Sequence, residues 1–152
     1  MKPLCVAIFL LLLPVWLGAQ AYPPEVWLRS LQPFERAWIE LPETAELLGP
    51  NQEDGLRIDQ VVKDCFDQAR KNQPRGRVPT MPLKHYLRQY VVFQLPDGQK
   101  YVYVNAGPYT DTGVDSPNHE LIMIMDGGPD YWHMTIDLQS GRCLEFYANG
   151  ES

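Results

Sequence analysis

The chain has 152 residues, of which 45% are hydrophobic, and a formal net charge of −6 at pH 7. This length is enough for one domain with a real hydrophobic core. An acidic chain lacks the basic field that phosphate binding needs, so the composition argues against a nucleic-acid-binding protein.

The first residues have the pattern of a secretory signal peptide. A lysine precedes an apolar run from Leu4 to Leu17, and the small residues Ala19 and Ala21 stand just before the expected cut. The run is shorter than the ~20 apolar residues that a membrane-spanning helix needs. The sequence therefore predicts a signal peptide at residues 1–21, a single exported domain at residues 22–152, and no transmembrane segment after cleavage. The destination is the periplasm, the cell surface or the medium.

Two apolar stripes in the first half of the chain predict helices. The first stripe, Trp27–Leu41, has alternating spacings of four and three, and Pro33 within it predicts two short helices or one kinked helix. Residues 42–49 could add one more turn. The second stripe, at residues 56–69, predicts a helix of about four turns that ends near Asn72, before a proline.

From residue 85 onward the hydrophobic period changes to two, which predicts strands joined by hairpins. The first hairpin turns at Asp97-Gly98, a pair that suits a tight turn. Three more strands are predicted in HELIMIM, YWHMTIDL and CLEFYA, which begin at His119, Tyr131 and Cys143. This order predicts an α+β fold, with N-terminal helices packed on an antiparallel meander of about five strands.

The order of helix and meander resembles the cystatin-like architecture, in which a sheet wraps around a helix. Cystatin inhibitors carry a glutamine-x-valine-x-glycine motif in a hairpin loop. The corresponding stretch here, Gln89-Tyr90-Val91-Val92-Phe93, ends in phenylalanine and lies within a predicted strand. The resemblance therefore implies the architecture alone, and it carries no site residue.

A three-residue loop at residues 139–141 would bring large apolar residues of the last two strands onto one face. The predicted pairs are Trp132 with Ala148, Met134 with Phe146, Ile136 with Leu144, and Leu138 with Arg142. Cys143 then lies on the opposite, polar face, whereas Cys65 lies on the apolar stripe of the second helix. A disulfide cannot reach across a sheet, so we expect both cysteines to be unbridged, although an even count in an exported domain favours a bond.

The strands of the first hairpin are apolar on both faces, so cover is expected on each side. Either the helix that carries Trp27 and Trp38 covers the second face, or that face is a groove lined by aromatic side chains. The candidate ligand-binding residues of such a groove are Phe93, Tyr101 and Tyr103. The sequence thus favours a small exported binding domain without enzymatic activity, whose partner is a protein, a glycan or a small molecule.

Charge is segregated along the chain. Residues 68–96 contain six basic residues and no acid, whereas the stretch between Arg36 and Arg57 contains five acids and no base. The basic segment could dock an anionic glycan, a lipid headgroup or an acidic partner. Alternatively, it pairs with the acidic segment of the same chain.

The alternative function is a metal- or carboxylate-assisted hydrolase with its site at the loop ends. Its candidate residues are Asp111, Asp115 and His119 in the loop from Asp111 to Glu120, and Asp126 and Asp130 in the next. The first loop does not match a calcium-binding loop, and the three histidines of the chain lack the paired spacing of a zinc site. Polar loops of turn-forming residues are therefore favoured, and no metal or cofactor is expected.

A cysteine nucleophile is also disfavoured. In the predicted register His133 pairs with Tyr147, about 13 Å along the strand from Cys143, which is beyond hydrogen-bond reach.

Overall fold

The computed structural model describes residues 25–49, 52–109 and 120–150. Within these ranges the chain has the predicted α+β class, with a mixed six-stranded sheet and two α-helices. The elements are β1 (Glu25–Trp27), α1 (Pro33–Trp38), β2 (Glu46–Leu48), α2 (Gln52–Asn72), β3 (Tyr86–Gln94), β4 (Lys100–Pro108), β5 (Trp132–Asp137) and β6 (Arg142–Ala148). The predicted signal peptide and the loop from Asp111 to His119 lie outside the described residues.

The sheet is built on the long hairpin of β3 and β4, which the sequence predicts. The strand order is β1-β3-β4-β5-β6, and β2 pairs with β3 beside β1. β1 is parallel to β3, whereas the other described pairs are antiparallel. Gly98 turns the hairpin with a φ of 85°, and its N–H donates to the carbonyl of Leu95 at 2.9 Å. Glycine adopts this left-handed conformation without the steric cost that other residues meet there.

α2 contains the helix that the second apolar stripe predicts, and it ends at Asn72 as expected. It begins earlier than predicted, at Gln52, and its 21 residues exceed the predicted four turns. Its residues Ile58, Val62 and Phe66 are buried in one cluster with the first face of the sheet. The Phe66 ring lies 5.1 Å from the ring of Trp132, measured between centroids. This cluster is the larger of the two hydrophobic cores.

The first apolar stripe does not form the predicted helix or pair of helices. Trp27 ends β1, and its ring stacks on Tyr90 at 4.6 Å. Only Pro33–Trp38 is α-helical, and residues 42–49, predicted as a further helical turn, contain β2. Pairing with the free edge of β3 satisfies the backbone N–H and carbonyl groups of this segment. That gain outweighs the weak helical preference of a stripe broken by proline.

The predicted strand HELIMIM is also wrong, because residues 121–124 are not in a strand. Side chains from other elements form hydrogen bonds with the backbone of this segment instead. The N–H of Leu121 donates to Glu35 Oε1 at 2.6 Å, and the N–H of Ile122 donates to Gln89 Oε1 at 2.7 Å. Asn105 Nδ2 donates to the carbonyl of Ile122 at 2.6 Å. With its backbone satisfied in this way, the segment lies over the second face of the sheet, where Leu121 is buried.

The predicted register of the last hairpin is correct only in its first half. Trp132 lies opposite Ala148 and Met134 opposite Phe146, as predicted, whereas Ile136 lies opposite Cys143 and Asp137 opposite Arg142. The register shifts between Thr135 and Ile136, so that Leu144 is the extra residue of a β-bulge. Leu144 is 44% exposed rather than part of the apolar face.

The bulge also overturns the prediction for the cysteines. Cys143 is bonded to Cys65 of α2, with the two Cα atoms 5.5 Å apart. The extra residue turns Cys143 from the polar face to the face that α2 covers, so the bond does not have to cross the sheet.

Candidate functional site

The second face of the sheet is covered along β3 and open along β5 and β6. The covering core contains Val26, Leu28, Leu41, Ala45 and Leu121 packed with Leu87, Val91, Phe93 and Tyr103. The predicted cover by a helix carrying Trp27 and Trp38 is wrong, since Trp27 packs on the α2 side and Trp38 is 45% exposed. Beyond this cover lies a cleft of about 370 Å³. That volume falls within the range of small-molecule sites.

Two rows of side chains from β4, β5 and β6 form the floor of the cleft. The first row is Tyr103, Thr135 and Glu145, and the second row is Asn105, His133 and Tyr147. Residues two apart in a strand point to the same face, so the pairing of the three strands places all six side chains together.

Three rings of the floor form a stacked column. The His133 ring lies 5.6 Å from Tyr103 and 5.2 Å from Tyr147, with interplanar angles of 27° and 22°. The guanidinium of Arg77 lies 5.3 Å from the centroid of Tyr147. Stacking places a tyrosine ring against each face of His133, so the three rings form one rigid part of the floor.

The walls of the cleft come from the end of α1 and from residues 122–131. Trp38 stands on the first wall and Met125, which is 71% exposed, on the second. Tyr131 is held on the second wall between Gly107 and Gly127, where a Cβ atom at either glycine would overlap its ring. Both glycines therefore permit the close approach that places this tyrosine at the cleft.

The end of α1 places an acidic residue at the cleft. The N–H of Leu41 donates to the carbonyl of Arg36 at 2.8 Å, and the N–H of Glu40 donates to that of Ala37 at 3.2 Å. These two bonds form a Schellman motif, in which the left-handed position is usually glycine. Here that position is Glu40, with a φ of 53°, and it lines the cleft.

Buried polar side chains hold the second wall against the sheet. Glu35 is almost fully buried, and besides the N–H of Leu121 it accepts the N–H of Gln32 at 2.6 Å. Gln89 is buried as well, and its Nε2 donates to the carbonyl of Glu120 at 2.6 Å. Because these groups use their hydrogen-bonding capacity on the backbone of the wall, their role is to position it.

Burial sets the protonation of the aromatic column. Burial lowers the pKa of His133, and the nearby Glu145 opposes this effect only in part. Burial and then the charge of Glu145 raise the pKa of Tyr103. Both rings are therefore neutral near pH 7, and the charges that line the cleft belong to carboxylates.

The predicted ligand-binding residues divide between the cover and the cleft. Phe93 and Tyr101 stack on each other at 5.4 Å, and neither lines the cleft. Tyr103 does line it, as part of the ring column.

Most of the predicted polar site lies outside the described residues. Asp111, Asp115 and His119 lie outside those residues, and Asp126 is exposed. Asp130 accepts the N–H of Thr80 at 2.6 Å and the hydroxyls of Thr80 and Tyr86.

Those hydrogen bonds give Asp130 a structural role. Burial alone would raise the pKa of Asp130, but the bonds from Thr80 and Tyr86 outweigh burial and lower it. This carboxylate thus anchors the segment after α2 to the start of β5.

Sequence reasoning missed most of the cleft. Thr135, Glu145 and Tyr147 stand at alternate positions of the last two strands, on the face that the sequence assigns to solvent. The available signal was the presence of aromatic side chains on that polar face, namely Tyr131, His133 and Tyr147. Only the fold shows that the segment after residue 120 and the end of α1 enclose this face.

Comparisons of the chain with protein-family models, curated proteins and solved structures found no match. In the part of the chain that the structure describes, no helix is both long and apolar enough to cross a membrane. In the same part, no group of three or more His, Cys, Asp or Glu side chains is placed to hold a metal ion.

Proposed function

We propose that this protein is a small exported binding domain, without enzymatic activity, whose ligand is a small molecule with an apolar body. The main support for this proposal is the column of Tyr103, His133 and Tyr147, which lines an open cleft of about 370 Å³. The exposed side chains of Trp38 and Met125 stand over this floor. A ligand that covers them would gain about 25 cal/mol for each Å² of apolar surface removed from water.

The ring neighbours of His133 favour binding over catalysis. Both of them are tyrosines, which stack on its faces. A general base needs a partner that orients its ring and a position within hydrogen-bond reach of a reacting proton. Stacked between two rings, His133 is instead held as part of the floor of the cleft.

The proposal of export rests on the signal-peptide pattern, and the Cys65–Cys143 bond supports it. Disulfides persist mainly in oxidising compartments outside the cytosol. N-terminal sequencing of the protein secreted from the full-length gene should begin at Tyr22. An N-terminus at Met1 would contradict the proposal.

The binding proposal is tested with a neutral fluorescent probe, N-phenylnaphthylamine, whose emission rises in apolar sites. α1 offers a matched pair of aromatic residues, because Trp38 lines the cleft whereas Phe34, 57% exposed on the same helix, does not. We expect Trp38→Ala to weaken probe binding about tenfold, since it removes a large aromatic contact. Phe34→Ala should leave binding unchanged.

Two results would count against the cleft. Equal losses in both variants would show that the probe binds exposed apolar surface in general. An absence of saturable binding by the wild-type protein would remove the support for an apolar ligand.

A further inference from the structure

We propose that the ligand of the cleft is an organic cation, an amine or ammonium group carried on an apolar or aromatic body. This inference rests on the proposed function and adds the charge of the ligand. The described residues that line the cleft include two acids, Glu40 and Glu145, and no lysine or arginine. A carboxylate beside an apolar surface attracts a positive group and repels a negative one.

The second acid of the cleft lies beside the ring column. Tyr103, His133 and Tyr147 stack with small interplanar angles, and the floor row that contains Tyr103 ends at Glu145. The neighbouring rings cover both faces of His133, and the guanidinium of Arg77 lies over the ring of Tyr147. The attraction for a cation at this end of the floor therefore comes from the carboxylate of Glu145 rather than from a ring face.

The backbone conformation of Glu40 also supports a cationic ligand. The left-handed position of a Schellman motif favours glycine, because other residues place Cβ too close to the backbone there. This chain instead has a glutamate at that position, and the residue lines the cleft. A negative charge at this point of the wall is what a cationic ligand would require.

The charge of the whole chain agrees with the charge of the cleft. The formal net charge of −6 creates a field that draws cations towards the surface and lowers the local concentration of anions. In the complex, the ammonium group would lie beside Glu145, and the apolar body would contact Trp38 and Met125.

The test uses three compounds that share a phenyl body and differ in charge: phenethylamine, phenethyl alcohol and hydrocinnamate. Their affinities for the secreted protein are measured by NMR titration, with the resonances of Trp38 and His133 reporting on the cleft. We expect the amine to bind about tenfold more tightly than the alcohol, and the carboxylate to bind most weakly.

A double variant tests whether Glu40 and Glu145 cause the preference for the amine. In Glu40→Gln/Glu145→Gln the affinity for the amine should fall to that of the alcohol. The matched control is Glu43→Gln/Glu46→Gln, which removes two exposed acids that do not line the cleft. This control should keep the preference for the amine.

The outcomes separate the two proposals. If the amine and the alcohol bind equally, or if the double cleft variant keeps the preference, the ligand is not selected as a cation but the cleft still binds it. If hydrocinnamate binds most tightly, the charge assignment is reversed. If none of the three compounds shifts the resonances of Trp38 and His133, the cleft is not a ligand site and both proposals fall.

Discussion

Glu40 combines an unfavourable backbone conformation with a position at the cleft. It occupies the left-handed position after α1, with a φ of 53°, and it lines the cleft. For residues other than glycine this conformation costs roughly 1–2 kcal/mol. Strain of this kind persists only where the surrounding structure holds it, and it is frequent at functional sites.

Replacing Glu40 with glycine should therefore stabilise the protein. We expect Glu40→Gly to raise the free energy of unfolding by about 0.5–1 kcal/mol, because relief of the strain outweighs the greater entropy of glycine in the unfolded chain. Urea melts measure the change. The control, Glu43→Gly, replaces an exposed acid that is not in the left-handed region and should be neutral or destabilising. Destabilisation by Glu40→Gly would show that its side chain contributes more than its backbone costs.

At the scale of elements, the bulge in β6 decides what each face of the last hairpin presents. The shift between Thr135 and Ile136 directs Cys143 to α2 and leaves Leu144 exposed, while Glu145 and Tyr147 keep the alternation that places them in the cleft. Bulges are frequent beside functional sites because they re-aim side chains within an otherwise regular ladder. One irregularity thus joins β6 to the core on one face and to the site on the other.

The disulfide should contribute measurably to stability. It joins residues separated by 78 positions, and closing a loop of this length restricts the unfolded chain. The variant Cys65→Ala/Cys143→Ala should lose about 2–4 kcal/mol of unfolding free energy, measured by urea melts. Added reductant should destabilise the wild-type protein by a similar amount and leave the variant unaffected.

Mass spectrometry checks the bond directly. The secreted protein, alkylated without prior reduction, should carry no label on Cys65 or Cys143. Labelling of both cysteines would show that the bond is absent.

At the scale of the whole molecule, the two faces of the sheet have different roles. The first face packs on α2, with Trp132, Met134 and Ile136 buried along β5. The second face is sealed over β3 by the N-terminal segment and by Leu121, and it is open over β5 and β6. His133 and Thr135 alternate along β5 with these buried residues and therefore face the cleft. The core on the other face holds the strand in place.

This division predicts a large difference between neighbouring residues. Trp132 is 2% exposed and contacts the rings of Phe66, Tyr86 and Phe146 at 5.1, 5.4 and 5.6 Å. Trp132→Ala should cost about 3–5 kcal/mol in denaturant melts, because it leaves a cavity in the core. His133→Ala removes only stacking with two tyrosines and should cost about 1 kcal/mol. A greater loss for His133→Ala would mean that the faces of β5 are assigned the wrong way round.

The sequence by itself determined the features that depend on neighbouring residues. The period of α2 and its end at Asn72, the Asp97-Gly98 turn, and the apolar alternation of β5 all reflect local geometry. Such features are readable because each residue's preferred conformation and the spacing of apolar side chains agree with the final structure. The α+β class followed from the order of these elements.

Only the tertiary structure decided the conformation of the first apolar stripe, the conformation of residues 121–124, and the pairing of the two cysteines. The N–H of Leu121 is bonded by Glu35, 86 residues away, and Cys143 is bonded by Cys65, 78 residues away. The backbone N–H and carbonyl groups of such a segment can form hydrogen bonds with a strand edge or with a buried side chain. The fold decides which of these partners lies within reach. The cleft has the same origin, because its floor, its two walls and its carboxylates come from segments that are distant in the chain and become neighbours only after folding.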